Sequence, residues 1–490
     1  MNFKPTIIYL VIIFGIIQAA QSQTNKPNIL FICVDDLRPE LGAYGQDYIK
    51  SPNIDKLASQ AFLFKNHFVT VPTCGASRHS LLTGRLPQGM ADTKNSATAV
   101  SITGKPETDI PETFIHHLKR NDYYTVGMGK ITHNPDGRVY GYLDPVSKEM
   151  ELPHSWDEFI FDYGKWGTGH NSFFGYADGS NRNTLKGQVK PYEKAEVDDR
   201  GYIDGIIADL AINKLKKLKE QEKPFFMGVG FFKPHLPFNA PAKYWDMYNR
   251  EDIPISPNNS LPENVSKVSL QKMGEFNNYK LSDEKASLEK AFSDDYARKL
   301  GHGYAACVSY IDAQIGKLLA ELERLELDKN TIVVIWGDHG WHLGDHRIWG
   351  KHTLLDRSLH STLIMKVPEV GNYGAIEKVV STVDIYPTLM DLCGISMPYK
   401  TKGRSMRPLF QDSKAKGWTE AAYSYFKTGL SMRTERYRLS KYWRDDMPDI
   451  ELFDHKNDPY ETQNIAGENK RMVDKLSPLW REGNTRHYQK

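Results

Sequence analysis

Four stretches of this chain are apolar without a break and then stop at charged or polar residues, the pattern of parallel strands buried on both faces. Asn28 to Val34 ends in Asp35-Asp36, and Tyr123 to Met128 leads into Gly129-Lys130. Phe225 to Phe232 leads into Lys233-Pro234-His235, and Thr331 to Trp336 into Gly337-Asp338-His339-Gly340. Helical patterns lie between them. Ser51-Pro52 reads as an N-cap and first-turn proline before Ile54, Leu57 and Ala58, and a second helix after Pro111 carries Phe114, Ile115 and Leu118. Tyr304, Cys307, Val308, Ile311, Ile315, Leu318, Leu319 and Leu322 recur at steps of three and four and predict the longest helix. Asp384 to Leu392 predicts another, closed by Gly394. Strands and helices alternating in this way predict an α/β protein, with a large, mixed, mostly parallel sheet flanked by helices.

Beyond residue 395 the texture changes. Leu430 to Leu439, Lys441 to Trp443 and Glu451 to Asp454 read as short strands before the turn at Asp458-Pro459. A smaller α+β domain is expected over 396–490, after a catalytic domain over 23–395. Residues 134–200 and 250–285 lack periodicity, and long insertions of this kind are more often functional loops than linkers. The run from Lys214 to Lys223 reads as a solvated helix face. At the start, Lys4, an apolar run from Thr6 to Ile17 and then Ala19-Ala20-Gln21-Ser22 read as a cleaved signal peptide over residues 1–22. The apolar run falls short of the roughly 20 residues that a membrane span needs. The mature protein is therefore expected to have no membrane span and to be periplasmic or secreted.

Composition narrows the partners. With 63 basic and 61 acidic residues among 490, the net charge of +2 gives no case for nucleic acid or a membrane surface. The four cysteines, Cys33, Cys74, Cys307 and Cys393, are too few for a disulfide framework. Cys33 falls in a strand and Cys307 on a helix stripe, so both are expected in the core.

Cys74 differs. It opens Cys74-Gly75-Ala76-Ser77-Arg78, completed by Leu82-Thr83-Gly84-Arg85, with no second cysteine near enough for a metal or redox pair. Asp35, Asp36 and Asp338 stand at strand ends, where open α/β sheets place their sites, and carboxylates suit a hard divalent cation. An Asp-Asp pair taken alone is usually a turn or a solvated strand end; together with the Cys74 run it gains meaning. Asn28 to Phe31, Asp35 to Pro39, Leu41-Gly42, Tyr44-Gly45, Ser51 to Asp55 and the Cys74 run resemble the amino-terminal half of the type I sulfatases. Gly129-Lys130 with His133, Lys233-Pro234-His235 and Asp338 to Trp341 resemble the iduronate-2-sulfatase branch, which includes bacterial polysaccharide sulfatases, and this chain is expected to be one of them.

The resemblance implies an alkaline-phosphatase-like sulfatase fold and hydrolysis of sulfate esters on a sulfated carbohydrate, such as an algal or uronate-containing glycan. It implies that a formylglycine-generating or sulfatase-maturating enzyme oxidises Cys74 to formylglycine, whose hydrate attacks the ester. Calcium would be held by Asp35, Asp36, Asp338, His339 and an oxygen of the modified Cys74. Arg78 would stabilise the hydrate, and Lys130, Lys351 and either Lys233 or its neighbour His235 would surround the sulfate. His133 would take a proton from the hydrate, while His235 or Lys351 would protonate the leaving alcohol. Two positions depart from the common pattern: Ala76 stands where most members have proline, and His339 where many branches have asparagine. Tyr163, Lys165, Trp166, His170, Trp341 and Arg347 are candidates for sugar contacts. For His67, His79, His342 and His346 a packing role is expected, with His342 and His346 near enough in sequence to line the pocket. Two other readings stay open on these residues: a phosphomonoester or phosphonate hydrolase of the same fold, and a sulfoglycan-binding protein without turnover.

Overall fold

A computed structural model describes residues 26–485 except 369, 372, 419 and 420. The expected signal peptide lies outside the described residues. The four apolar runs form strands at Asn28–Val34, Tyr124–Gly129, Phe225–Phe231 and Thr331–Gly337, all parallel and adjacent within one eight-stranded sheet. Asn28–Val34 is central, with Cys33 opposite Gly230 on one side and Trp336 on the other. Glu158–Ile160 extends the sheet at one edge. Leu363–Lys366, Phe62–Phe68 and Gly374–Ser381 extend it at the other, and Leu363–Lys366 is the one strand that runs antiparallel to both neighbours.

Alternation along the central strand divides the core. Leu30, Ile32 and Val34 pack under the helices Ile203–Leu218 and Asp294–Arg324. Ile29, Phe31 and Cys33 face Cys74–Thr83, Phe114–Arg120 and Ile385–Leu392. Both layers therefore bury a full apolar strand face, as a doubly covered parallel sheet requires. All four cysteines are free and buried. Among the described residues, no helix is long and apolar enough to cross a membrane.

Past residue 395 the chain first packs on the large sheet, with Phe410 stacked on Phe62 at 4.4 Å. It then forms a four-stranded antiparallel sheet, Ala422–Phe426, Gly429–Arg433, Tyr437–Tyr442 and Ile450–Asp454, with the helix Lys470–Glu482 against it. The single strand expected from Leu430 to Leu439 is in fact two. Thr434 closes the hairpin between them, since its amide donates to the Tyr437 carbonyl at 2.8 Å and its hydroxyl accepts from the Tyr437 amide at 3.0 Å. Buried ion pairs tie this sheet to the preceding part of the chain, where Arg433 and Arg438 both meet Asp356, and Arg438 also meets Glu461 within the C-terminal part at 2.5 Å. Lys214 corrects the expectation of a wholly solvated face, because it is buried and pairs with Glu158 at 2.5 Å.

Candidate active site

Every residue singled out at a strand end arrives at the carboxyl edge of the large sheet. Asp35 and Asp36 follow the central strand, Lys130 follows Tyr124–Gly129, and Asp338 and His339 follow Thr331–Gly337. Asp36 takes a left-handed backbone (φ 59°), which turns the second carboxylate back toward the first at some cost in strain. Gly129 is also left-handed, and a Cβ there would lie 2.1 Å from the Gly230 carbonyl oxygen, so only glycine lets the strand end so close to its neighbour.

Cys74 is the first residue of the helix Cys74–Thr83 and is 4% exposed. Gly75 beside it must be glycine, because a Cβ would fall 2.2 Å from the Asn95 carbonyl oxygen. The Cys74 Sγ lies 3.2 Å from His339 Nε2 and 3.3 Å from Lys351 Nζ. Burial and then Asp35 push the thiol up to about 12, so the encoded side chain is a protonated thiol and a poor nucleophile.

Asp35, Asp36, Cys74 and His339 each offer one ligand atom, and these four atoms lie within 4.8 Å of one another. Asp338 sits beside them, its Oδ1 3.7 Å from His339 Nε2. Asp338 is also engaged as an acceptor: Oδ1 takes the Asp36 amide at 3.0 Å and Oδ2 takes Arg78 Nε at 3.0 Å. Arg78, fully buried, reaches Asp35 at 3.4 Å and the Lys130 carbonyl with its other nitrogens. Its visible work is to clamp two carboxylates in one geometry. Lys130 Nζ meets Asp35 at 2.5 Å under the Phe173 ring, and Lys351 Nζ meets Asp36 at 2.9 Å.

The two aspartates are treated differently by this surround. Burial works against Asp35, yet Lys130, His235 and Arg78 hold it well below the usual carboxylate range. Burial instead leaves Asp36 well above that range despite Lys351 and His339, and its Oδ2 is buried with no hydrogen-bond partner. An orphaned carboxylate oxygen beside two more carboxylates and an imidazole nitrogen is a donor set that fits a hard divalent cation. The cysteine Sγ stands here in the place of the oxygens that an oxidised residue 74 would carry.

On the open side, His235 Nδ1 faces the Leu236 carbonyl at 2.5 Å, and Nε2 points to Glu275 at 2.9 Å and to Asp36 at 3.9 Å. Burial, then Lys351, lowers this imidazole to about 3. Burial works against the Glu275 carboxylate too, yet Lys351 and then the His235 contact hold it well below the usual range. Glu275, on the short helix Gly274–Asn277, also lies 3.4 Å from Lys351 and went unnoticed in the sequence, since it sits in a loop with no periodicity and no motif. Lys233 is turned away, its ammonium on the His235 and Pro237 carbonyls at 2.9 and 2.6 Å, so His235 is the one of the pair that faces the site. His133 has Nε2 3.4 Å from the Tyr142 hydroxyl, and burial followed by Lys130 lowers it well below the usual imidazole value, leaving a neutral base.

The sugar-contact candidates fare less well. Trp341 is fully buried beneath Lys351, and Trp166 is buried with Nε1 on the Tyr176 carbonyl, so neither offers a face to a sugar. Arg347 is tied to the Leu288 and Glu289 carbonyls. Lys165 is exposed but donates to the Ala177 carbonyl, Tyr163 packs on Phe161, and His170 is wedged between Tyr140 and Tyr142. His342 and His346 are buried and bonded to the Asp345 and Tyr460 carbonyls, so they pack rather than line the site. His67 and His79 are buried likewise.

Comparison with known proteins gives the family. The family model described as Sulfatase matches residues 27–395, and the one described as N-sulphoglucosamine sulphohydrolase, C-terminal, matches 344–481. Iduronate 2-sulfatase from Mus musculus is 32% identical over 420 residues, spanning 77% of this chain and 70% of that one. A sulfatase from Formosa agariphila is 29% identical over 469 residues, spanning 91% and 84%. The solved phosphonate monoester hydrolase of Agrobacterium radiobacter superposes with a TM-score of 0.75 at 21% identity over 94% of this chain and 96% of that one, a likeness of fold. With its family match extending over the whole strand-end cluster, this chain belongs to the sulfatase family and is a sulfuric ester hydrolase.

Proposed function

We propose that the protein removes sulfate from a sulfated carbohydrate, with formylglycine made from Cys74 as nucleophile and calcium in the carboxylate cradle. The observation that carries this reading is the convergence of Cys74, Asp35, Asp36 and His339 within 4.8 Å, with Lys130 and Lys351 on two sides. The carbohydrate follows from likeness to a relative named for iduronate.

Asp35, Asp36, Asp338, His339 and an oxygen of residue 74 would hold the calcium, which when bound supplies Lewis-acid polarisation of a sulfate oxygen. Formylglycine supplies, as its hydrate, an attacking oxygen and a second hydroxyl from which a proton can be drawn. Arg78 fixes Asp35 and Asp338 so that the cradle does not relax. Lys130 and Lys351 offset charge that builds on the sulfuryl oxygens. His133, held neutral, takes the proton of the second hydroxyl. Lys351 already faces Asp36, Glu275 and residue 74, so His235, set beside Glu275, is the group assigned to protonate the departing alcohol. Because Cys74 is buried, a maturation enzyme must reach it before this segment packs, and Ala76 in the third helical position is fully buried as well. The signal-like start supports maturation and export together, to the periplasm or beyond.

His235→Ala is expected to slow a sugar sulfate by about 10²-fold or more, and an aryl sulfate with a good leaving group far less. Equal losses on the two would remove His235 from the leaving-group role. The reading as a whole is tested by comparing turnover of aryl sulfate, aryl phosphate and aryl phosphonate by the matured enzyme. Sulfate release should dominate; a strong preference for phosphate or phosphonate would overturn it.

A further inference from the structure

Arg182 lies one aromatic ring away from His235 and takes no part in the chemistry above. Its backbone is pinned by a tight turn: the Arg182 amide donates to the Phe174 carbonyl at 3.2 Å, and Gly175 pairs with Asn181. Its guanidinium lies flat on Phe174, 3.4 Å from the ring centre, and 5.4 Å from the centre of Tyr279. Phe174 in turn packs 6.0 Å from the His235 ring and 5.9 Å from Tyr142, whose hydroxyl meets His133. The cation is therefore one aromatic ring removed from the leaving-group side of the reactive centre.

Two groups at this place lack an anionic partner. Among the described residues no carboxylate forms an ion pair with Arg182. The Tyr279 hydroxyl, on a residue only 1% exposed, faces the Arg182 guanidinium and has no acceptor for its own proton. A half-buried guanidinium held by stacking, with no carboxylate on it, beside a buried hydroxyl whose proton has no acceptor makes a preorganised receptor for an anion, since both can donate to one that arrives. Nearby cations at Lys130 and Lys351 are already matched to Asp35 and Asp36, which leaves Arg182 free to read a different group.

We infer that Arg182, with the Tyr279 hydroxyl, is a specificity determinant that binds a second anionic substituent, a carboxylate or another sulfate, on the sugar whose sulfate ester is cleaved. This rests on the carbohydrate reading above. The substrate class becomes an acidic sugar, either a uronate or a disulfated residue, in place of a neutral monosulfate.

The test uses matured full-length enzyme, Arg182→Met, which keeps the stacking bulk, and Arg182→Lys, which keeps the charge. Three sugar substrates are compared: a neutral monosulfate, a uronate monosulfate and a disulfate. Arg182→Met is expected to raise KM about 10- to 100-fold on one or both acidic substrates, with kcat little changed and the neutral substrate unaffected; the substrate that responds identifies the anion. Arg182→Lys should recover part of the loss. Equal effects on neutral and acidic substrates, or none on any, would overturn the inference while leaving the sulfatase reading intact. Wild-type enzyme that releases sulfate from none of the three would instead overturn the carbohydrate reading.

Discussion

Replacing Cys74 with alanine is expected to lower sulfate ester turnover by about 10⁴-fold or more while leaving the fold in place. The first half follows from position. Residue 74 touches both the His339 and Lys351 side chains, as Asp36 does, but Asp36 belongs to the cation cradle, so no neighbour can take over an attack on sulfur. Lys130, Lys351, His339 and His235 around it are matched to acids. The second half follows from packing. Removing one sulfur from a helix N-terminus costs little, because Lys351 keeps Asp36, His339 keeps Asp36 and the Gly340 carbonyl, and Gly75 keeps its contact with Asn95. Turnover assays beside thermal melting check both halves; a variant that retained activity would remove Cys74 as the precursor of the nucleophile.

Arg78→Ala is expected to be damaging in a different way, reducing both stability and activity. Arg78, Asp35 and Asp338 are all fully buried, and the guanidinium reaches the two carboxylates and the Lys130 carbonyl at once. Without it the two acids lose a shared counter-charge inside the protein, and breaking a buried pair from one side costs about 3–5 kcal/mol. Lysine should not restore it, since an ammonium cannot span three directions at fixed angles. Thermal melting should fall clearly in Arg78→Ala and recover partly on adding calcium, which would share the load on Asp35. A variant that melts like the wild type would show that the clamp carries no stability.

The parts of the site that were legible in the chain are those set by the sheet. Apolar runs long enough to be buried on both faces must end somewhere, and Asp35-Asp36, Lys130, His235 and Asp338-His339 stand at those ends because a charged residue cannot continue a buried strand. The C-terminal hairpin was less legible. Thr434-Glu435-Arg436 carries no glycine, proline or asparagine, so the turn left no mark and two strands read as one. Lys214 read as solvent-facing because a charge usually is; its stem is buried and its ammonium reaches Glu158. In the long insertions residue type says little about direction. Trp166 and Trp341 are aromatic for packing, Arg347 ties down a loop, and Glu275 faces the site and Arg182 lies one ring from His235 without any spacing to announce them. Loops position side chains by local turns and tertiary contacts, and neither has a period.

The central claim is that residue 74 acts as formylglycine, and the mass of the peptide that contains it tests this most directly. The protein should be produced with a competent maturation enzyme, shown to turn over a sulfate ester, and digested for mass spectrometry across Cys74 to Arg85. The account predicts a peptide with the mass of the aldehyde or its hydrate, in a fraction that rises with specific activity. A plain cysteine mass in fully active protein would contradict it.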